Sequence, residues 1–408
     1  MQNTPRSNRL HIAIFGKRNA GKSSLINAIT NQEIALVSNV AGTTTDPVYK
    51  AMEILPIGPV VIIDTAGLDD EGELGTLRIK KTYEVLNKTE LAIVLLNGEM
   101  GISDYDKEII SRIKERRIPL IGVVNKIDIK DVDDKLLNEW NKDYNIPFVK
   151  VSAVTKEGVK ELKDEIIKEA NLKNHEKVII GDLINPHDIV VLVTPIDKAA
   201  PKGRLILPQQ QTLRDVIDHG AIGVVTRETE LKETLNSLGK KPKLIVTDSQ
   251  AFKKVDEDTP KDITLTSFSI LFARYKGDLK TLVEGVRKIK ELKPGDKVLI
   301  CEGCTHHRQK GDIGRDKIPK WMNDIVGGKL SFEWTAGTGY PKPKKMKEFD
   351  LILHCGGCML NPKEMQFRID QAKDNNMPIV NYGVLIGYVT GVLERALDPF
   401  PEIKSLLY

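Results

Sequence analysis

The sequence predicts an α/β protein of three domains: a first domain with a mainly parallel sheet, a small α/β middle domain, and a C-terminal α/β domain with a parallel sheet. Apolar runs of strand length alternate with helical stretches along the chain, which is typical of parallel strands covered by helices. A chain of 408 residues is also too long for one hydrophobic core. Polar stretches near 171–177 and 255–260 divide it into predicted domains over residues 8–172, 175–262 and 263–408.

The composition indicates a soluble globular protein. Charged residues make up 29% and hydrophobic residues 40%, and the net charge of +4 argues against an extended nucleic-acid-binding surface. The N-terminus Met1–Arg9 is polar, and the longest apolar run, 377–393, is shorter than the roughly 20 residues of a membrane span. All four cysteines follow residue 300, in two CxxC pairs. We therefore expect a cytoplasmic protein that binds neither membranes nor nucleic acids.

A Walker A pattern opens the first domain. Gly16–Ser23 reads G-x-x-x-x-G-K-S, between a predicted buried strand over 10–15 and a predicted helix from residue 24. Such a loop turns consecutive backbone N–H groups toward a phosphate at a helix N-terminus. We predict that Lys22 contacts the β- and γ-phosphates and that the Ser23 hydroxyl ligates Mg²⁺.

Two further stretches predict the phosphate side of a nucleotide site. The Thr-rich segment 40–47 is suited to a switch loop in which Thr44 reaches Mg²⁺ and the γ-phosphate. A predicted hairpin over 51–63 leads into Asp64-Thr65-Ala66-Gly67, the D-x-x-G pattern. There Asp64 is expected to hold Mg²⁺, and the Gly67 N–H to sense the γ-phosphate. Lys22, Thr44 and Gly67 form the predicted catalytic set.

The base side of the site follows two more predicted strands, 91–96 and 120–124. The second strand runs into Asn125-Lys126-Ile127-Asp128. A carboxylate here accepts from N1–H and the 2-amino group of guanine, whereas adenine would leave it unpaired. Val151-Ser152-Ala153 ends another short strand, at the position where the backbone contacts the guanine carbonyl. Together these patterns predict a site for GTP or GDP with Mg²⁺. The predicted nucleotide-contacting residues are Gly16, Asn19, Ala20, Gly21, Lys22, Ser23, Ser24, Thr44, Asp64, Gly67, Asn125, Lys126, Asp128, Ser152 and Ala153.

With five motifs in the correct order, this domain resembles the TrmE/Era branch of the small GTPases of translation and modification. The residue after D-T-A-G is Leu68, where Ras-like enzymes carry a water-orienting glutamine, so slow unassisted hydrolysis is expected. Asn19 occupies the position at which TrmE-like proteins use an asparagine to bind K⁺ beside the phosphates. The resemblance therefore implies a K⁺-activated GTPase. The alternative is that Asn19 only stabilises the turn of the loop.

The middle segment predicts a small α/β unit without recognisable chemistry. Short strands are expected over 189–193, 221–225 and 244–247, with helices over 210–219 and 228–238 between them. Its polar positions are more typical of a solvated surface or of an interface than of a catalytic site.

The C-terminal segment places all four cysteines beside predicted strand ends. Strand-like runs over 297–300 and 349–353 lead into Cys301-x-x-Cys304 and Cys355-x-x-Cys358. Since ligands of open α/β sheets bind beyond the carboxyl ends of strands, both pairs are expected at one edge. Two CxxC pairs suit zinc as well as an iron–sulfur cluster. Their position after buried parallel strands favours a cluster over a zinc ribbon.

The spacing Cys304-x-His306, then 47 residues, then His354-Cys355-x-x-Cys358 resembles the signature of HydF, the family of [FeFe]-hydrogenase maturation GTPases. The resemblance implies a [4Fe–4S] cluster held by Cys304, Cys355 and Cys358. It also implies a homodimer with its dimerisation unit in the middle. Its expected role is that of a scaffold or carrier of a two-iron subcluster, with radical-SAM maturation proteins and the apo-[FeFe]-hydrogenase as partners.

The fourth ligand of that cluster stays open at this point. Cys301 lies outside the signature, so three alternatives stay open: the fourth iron has no protein ligand, is bound exchangeably by His306 or Glu302, or is held by Cys301. Cys301 is the cysteine nearest its strand, where its side chain can face into the sheet as a small apolar group. The rival to the whole interpretation is an RNA-modification or ribosome-assembly GTPase with a structural zinc domain.

Overall fold

The computed structural model describes residues 4–30, 47–65, 81–171, 178–196, 205–303, 312–337 and 339–408. The chain divides into two compact units, Met1–Glu176 and Lys177–Tyr408. Among the described residues, no helix is both long enough and apolar enough to cross a membrane.

The first unit is built on a six-stranded sheet in the order β2-β3-β1-β4-β5-β6. Only β2 is antiparallel to its neighbour β3, so the predicted hairpin is present and the rest of the sheet is parallel, as expected. The strands are β1 (Leu10–Phe15), β2 (Val48–Ile54), β3 (Gly58–Asp64), β4 (Leu91–Asn97), β5 (Leu120–Asn125) and β6 (Phe148–Val151). The helices with described ends are α1 (Lys22–Thr30), α2 (Asp104–Glu115), α3 (Asp134–Tyr144) and α4 (Val159–Asn171).

Both faces of this sheet are buried. Along β1, Ile12 and Ile14 pack in one apolar cluster with residues of α1 and α4, whereas Ala13 and Phe15 pack in a second cluster with residues of α2. Successive side chains of a strand point to opposite faces, so an unbroken apolar run is what a doubly covered strand requires. Burying each large side chain contributes about 1.5–3 kcal/mol. The polar motif residues are thereby left at the strand ends.

The second unit contains two four-stranded sheets, and every strand pair in them is parallel. The first has the order β10-β9-β7-β8 and the second β12-β11-β13-β14. The strands are β7 (Ile189–Val193), β8 (Ile222–Thr226), β9 (Leu244–Thr247), β10 (Thr264–Ser267), β11 (Lys297–Glu302), β12 (Ser331–Ala336), β13 (Leu351–His354) and β14 (Ile379–Asn381). The α/β class predicted for the whole chain is confirmed.

Helices cover both of these sheets and join them through one apolar core. That core includes Val191 of the first sheet, Leu299 of the second and Leu271 of a helix between them. The helices are α5 (Leu207–Asp218), α6 (Leu231–Ser237), α7 (Phe252–Asp258), α8 (Phe268–Lys276), α9 (Leu279–Glu284), α10 (Val286–Glu291), α11 (Ile318–Val326), α12 (Pro343–Met346), α13 (Pro362–Asp374), α14 (Tyr382–Thr390), α15 (Leu393–Ala396) and α16 (Pro401–Lys404). Strand β10 lies beyond the boundary predicted at 262–263 yet pairs with β9. A division into three domains therefore stays a prediction.

The apolar run 377–393 forms β14 followed by the buried helix α14, as expected from its glycines and polar residues. Gly383 of this helix lies against α8, and a Cβ there would fall 2.0 Å from Ser269 Oγ. A Cβ at Gly387 would lie 3.3 Å from Leu393 Cα, a less severe contact. These glycines serve close packing inside the unit.

Candidate functional site

The Walker A loop is pressed against the ends of β4 and β5. A Cβ at Gly16 would lie 2.6 Å from the Leu95 carbonyl oxygen, and one at Gly21 only 2.4 Å from Asn125 Nδ2. Gly21 also has a φ of +95°, which L side chains rarely adopt. The two glycines of the pattern are therefore required by contact with neighbouring strands as well as by the turn itself.

The phosphate side of the loop brings predicted groups together. Lys22 Nζ donates to the carbonyl oxygens of Gly16 and Lys17, both at 2.8 Å, and so bridges the loop. Ser23 Oγ donates to Asp64 Oδ2 at 2.7 Å, which joins two of the predicted Mg²⁺ ligands directly. Burial raises the pKa of Asp64, and the Ser23 hydrogen bond and the Lys22 charge oppose that shift. Paired oxygen ligands at a strand end suit a hard divalent cation.

The base side is tied together by Asn125, which is buried at the end of β5. Its Nδ2 donates to the Ala20 carbonyl at 2.9 Å, and its Oδ1 accepts from the Ala153 N–H at 3.1 Å. One amide therefore links the P-loop to the segment after β6. Buried Ser152 donates from Oγ to Asp128 Oδ1 at 2.6 Å. The sequence had suggested only backbone contacts at Ser152, so this orientation of Asp128 is a finding of the structure.

Asn19 lies on the exposed part of the loop in the left-handed conformation, with a φ of +60°. Asparagine tolerates this conformation better than most residues do. The Ala20 N–H donates to the Lys17 carbonyl across the turn at 3.3 Å. The conformation agrees with the turn-stabilising alternative, and the K⁺ role stays a prediction.

Several predicted residues lie outside the described part of the chain. They are Thr44 of the predicted switch loop, Gly67 and Leu68 of the D-x-x-G region, and Cys304 and His306 of the cysteine signature.

At the second candidate site, β11 and β13 end side by side. Cys301 is paired with His354 in the parallel ladder, and the Cys355 N–H donates to the Cys301 carbonyl at 2.8 Å. Cys355 Sγ accepts from the Gly303 N–H at 3.0 Å and from the Gly357 N–H at 3.4 Å. Hydrogen bonds of this kind favour a thiolate over a thiol. The predicted meeting of these two segments at one sheet edge is therefore present.

The described cysteines occupy three different environments. Cys301 is 0% exposed within β11, opposite Thr335 of β12, and burial raises the pKa of its thiol to about 12. Cys355 is half-buried and Cys358 is exposed. Cys301 thus has the surroundings of a small core residue, whereas the sulfurs of Cys355 and Cys358 lie at the edge.

His354 braces the cysteine edge through a network that sequence reasoning missed. Its Nδ1–H donates to the Cys355 carbonyl at 2.7 Å, and its Nε2 accepts from Arg368 Nη1 at 3.1 Å, which fixes the tautomer. Burial and the Arg368 charge lower the pKa of His354 to about 3, so the ring is neutral. Arg368 also donates to the Gly337 carbonyl at 2.6 Å and to Glu364 at 2.8 Å. Both nitrogens of the His354 ring are thus hydrogen-bonded. The residues around Arg368 form no sequence motif that predicts this contact.

Beyond the end of β11, polar groups converge that are suited to a ligand. Glu302 is buried there, and a Cβ at Gly314 would lie 2.7 Å from Glu302 Oε1 and 2.5 Å from the Tyr382 hydroxyl. The hydroxyl of Tyr382 is buried and has no hydrogen-bond partner within the described ranges. Leaving such a group unsatisfied costs about 1–3 kcal/mol. Accessible thiols, N–H donors to sulfur and a hydroxyl without a partner among the described residues are chemically suited to a polar inorganic group.

Within the described ranges, no three or more His, Cys, Asp or Glu side chains gather closely enough to hold a metal ion. Three of the predicted metal-ligand positions, Thr44 for Mg²⁺ and Cys304 and His306 for the cluster, lie outside those ranges.

Comparison with protein families matches three parts of the chain. Residues 11–126 match the model described as a 50S ribosome-binding GTPase. Residues 179–277 match the Hydrogen maturase F dimerization domain, and residues 280–399 match the Hydrogen maturase F tetramerization domain. The last two matches follow each other almost without a gap and cover most of the second unit.

Two curated relatives each match less than half of this chain. GTPase Der of Clostridium perfringens is 36% identical over 158 residues, 36% of this chain and 36% of its own length. The tRNA modification GTPase MnmE of Flavobacterium johnsoniae is 36% identical over 183 residues, 42% of this chain and 39% of its own. This chain thus spans well under half the length of these curated relatives. The solved G domain of the Thermotoga maritima iron transporter FeoB is 26% identical and covers 40% of this chain and 99% of its own, with a TM-score of 0.32, too low to support an inference.

Proposed function

The chain belongs to the hydrogen maturase F family, and we propose that it is a GTPase of hydrogenase maturation and the scaffold or carrier of a metal cluster. In this proposal it binds a [4Fe–4S] cluster and assembles or delivers the two-iron subcluster of [FeFe]-hydrogenase. Radical-SAM maturation proteins and the apo-hydrogenase are its proposed partners, in the cytoplasm.

In the first unit, GTP and Mg²⁺ bind at the P-loop edge. Ser23 and Asp64, already joined by a hydrogen bond, are the proposed Mg²⁺ ligands together with Thr44. Asp128, oriented by Ser152, selects guanine. Asn19 is the proposed K⁺ ligand. Hydrolysis regulates the association or release of partners, since the sequence contains no second recognisable catalytic motif for chemistry on the cluster.

In the second unit, Cys304, Cys355 and Cys358 are the proposed cluster ligands. The observation that carries this proposal is Cys355, whose sulfur accepts two backbone N–H groups at the shared edge of β11 and β13, beside exposed Cys358. When bound, a cluster with three cysteine ligands supplies one iron with an exchangeable position. The burial of Cys301 supports leaving that position to Glu302, His306 or an incoming group.

The test is anaerobic reconstitution of the full chain with iron and sulfide, followed by counting of iron, sulfide and zinc and by EPR of the reduced protein. We expect close to four irons per chain and a [4Fe–4S] signal. A colourless protein with one tightly held zinc would overturn the cluster and support the RNA-directed rival. Against that rival, residues 179–277 and 280–399 match the two hydrogen maturase F models, whereas the Der and MnmE matches cover only 36% and 42% of this chain.

The middle sheet offers a surface for the proposed homodimer. Strand β8 lies at the edge of its sheet, and its apolar side chains Ile222 and Val225 are 50% and 42% exposed. An exposed apolar edge strand with unpaired backbone groups is otherwise an aggregation hazard. A second copy of the chain, paired along this edge, would cover it.

Analytical ultracentrifugation of Val225→Lys tests this surface. A charge at the centre of the pairing edge is expected to shift the protein toward monomer, whereas Lys232→Ala, on the neighbouring helix α6, serves as the control. Unchanged sedimentation of Val225→Lys would show that the dimer contact does not involve β8.

A further inference from the structure

Lys276 lies beneath the loop that carries Cys355 and Cys358. It is the last residue of α8, and it is 2% exposed. Its Nζ donates to the carbonyl oxygens of Leu360 at 2.9 Å, Cys358 at 3.1 Å and Gly357 at 3.4 Å. Lys276 precedes Cys355 by 79 positions in the sequence, so the contact exists only in the folded unit.

The loop takes a defined shape around this ammonium. Residues 357–360 form a turn closed by the Leu360 N–H, which donates to the Gly357 carbonyl at 3.0 Å. Gly357 adopts a φ of +61°, and Asn361 then caps α13 by accepting from the Glu364 N–H at 3.1 Å. Cys358 is the second residue of the turn and is exposed. The cysteine is thus presented outward by a turn whose carbonyls face inward.

Peptide geometry connects the inward carbonyls to the opposite side of the loop. In a planar trans peptide the C=O and the N–H point in opposite directions. Carbonyls of Gly357 and Cys358 that face Lys276 therefore turn the following N–H groups, of Cys358 and Met359, away from it. The three N–H donors of an ammonium match three carbonyl acceptors, and charged hydrogen bonds are about twice as strong as neutral ones.

Resting on the proposed function, we infer that Lys276 is a positioning residue for the cluster ligands. It holds the turn with Cys358 outward before any cluster binds. The loss of conformational entropy on ligation is therefore smaller, because the loop is already ordered. It also places a positive charge next to the ligand loop. Since reduction adds an electron to a cluster, a nearby positive charge favours the reduced form and raises the reduction potential.

The test compares Lys276→Met with a matched control, Arg395→Met. Arg395 is likewise a mostly buried cation that donates to loop carbonyls, those of Pro260 at 2.6 Å, Thr259 at 3.1 Å and Ile263 at 3.3 Å. Its loop precedes β10 and carries no cysteine. Arg395 also forms an ion pair with Asp256, so the control removes a carbonyl-binding cation together with an ion pair elsewhere in the same unit.

Two readouts are needed, one of them independent of the cluster. In the protein without metal, hydrogen–deuterium exchange across 355–361 should become several times faster in Lys276→Met and stay unchanged in Arg395→Met. After anaerobic reconstitution, Lys276→Met should hold fewer irons than the unmutated chain, and the midpoint potential of its remaining cluster should be more negative. Lys276→Gln, which keeps an uncharged amide N–H donor group, replaces the methionine variant if that variant does not fold.

An unchanged result in either readout overturns the inference. Faster exchange with unchanged iron content and potential makes Lys276 a stabilising residue only, and altered iron content without faster exchange removes its positioning role. The failure of the proposed function is a separate result, because it appears as an unmutated chain that binds no cluster, whatever the exchange rates are.

Discussion

The nucleotide site and the cysteine edge both lie at the carboxyl ends of parallel strands, but they are held in different ways. In the first unit, motif residues hydrogen-bond to one another: Ser23 donates to Asp64, and Ser152 donates to Asp128. At the cysteine edge, the cysteine loop is braced by two buried cations from helices, Lys276 and Arg368, the latter through His354. When the residues of a site hydrogen-bond to one another, sequence motifs identify both the ligands and their supports. When remote side chains support a site, the sequence identifies only the ligands.

The largest expected effect separates the edge cysteines from the sheet cysteine. Serine at Cys304, Cys355 or Cys358 should abolish the cluster, because each removes a thiolate that anchors an iron. Cys301→Ser should keep it, since Cys301 is enclosed within the sheet. Iron counting and EPR after anaerobic reconstitution of each variant measure this difference.

If Cys301→Ser loses its cluster as completely as Cys355→Ser does, Cys301 is a cluster ligand in spite of its burial in the sheet. A site with four cysteine ligands, holding either iron–sulfur or zinc, would then replace the open one. Thermal unfolding of Cys301→Ser without metal provides the control, because a buried hydroxyl is expected to lower stability by about 1–3 kcal/mol.

In the nucleotide site, the next largest effect is expected at Asp128. The unmutated chain should prefer GTP over ATP by a factor on the order of 10⁴, because adenine leaves the carboxylate unpaired. Asp128→Ala should abolish this preference, as measured by competitive nucleotide binding. Equal affinities for GTP and ATP in the unmutated chain would contradict the assignment of the guanine site.

Ser152→Ala tests whether motif residues really support one another. It leaves the Asp128 carboxylate in place but removes its 2.6 Å hydrogen bond, a loss of about 1 kcal/mol. GTP affinity should fall by roughly five- to tenfold, well short of the Asp128→Ala effect. An effect as large as that of Asp128→Ala would mean that Ser152 contributes more than orientation.

The smallest effect is expected at Asn19. GTP hydrolysis should rise several-fold when K⁺ replaces Na⁺, and Asn19→Ala should remove most of that rise. Asn19→Gly is the decisive variant, because glycine accepts the φ of +60° without strain but carries no side-chain oxygen. If the glycine variant keeps its response to K⁺, the asparagine serves only the turn.

The sequence by itself determined the α/β class and the meeting of two cysteine segments at one edge, and it predicted the motif residues of the proposed nucleotide site. These depend on short-range patterns, because apolar runs of strand length predict parallel strands and the motifs follow at their ends. Where ligand and support are neighbours in the chain, as in Gly16–Ser23, local pattern was enough.

Only the tertiary structure decided which side chains support those residues. Cys301 and Cys355 belong to similar CxxC patterns, yet one is enclosed in the sheet and the other receives two N–H groups at its edge. Lys276 and Arg368 sit in helices with no recognisable motif, and nothing local distinguishes them from surface cations. Their role arises from packing between residues far apart in the sequence, because a buried cation is stable only where the fold gathers acceptors around it.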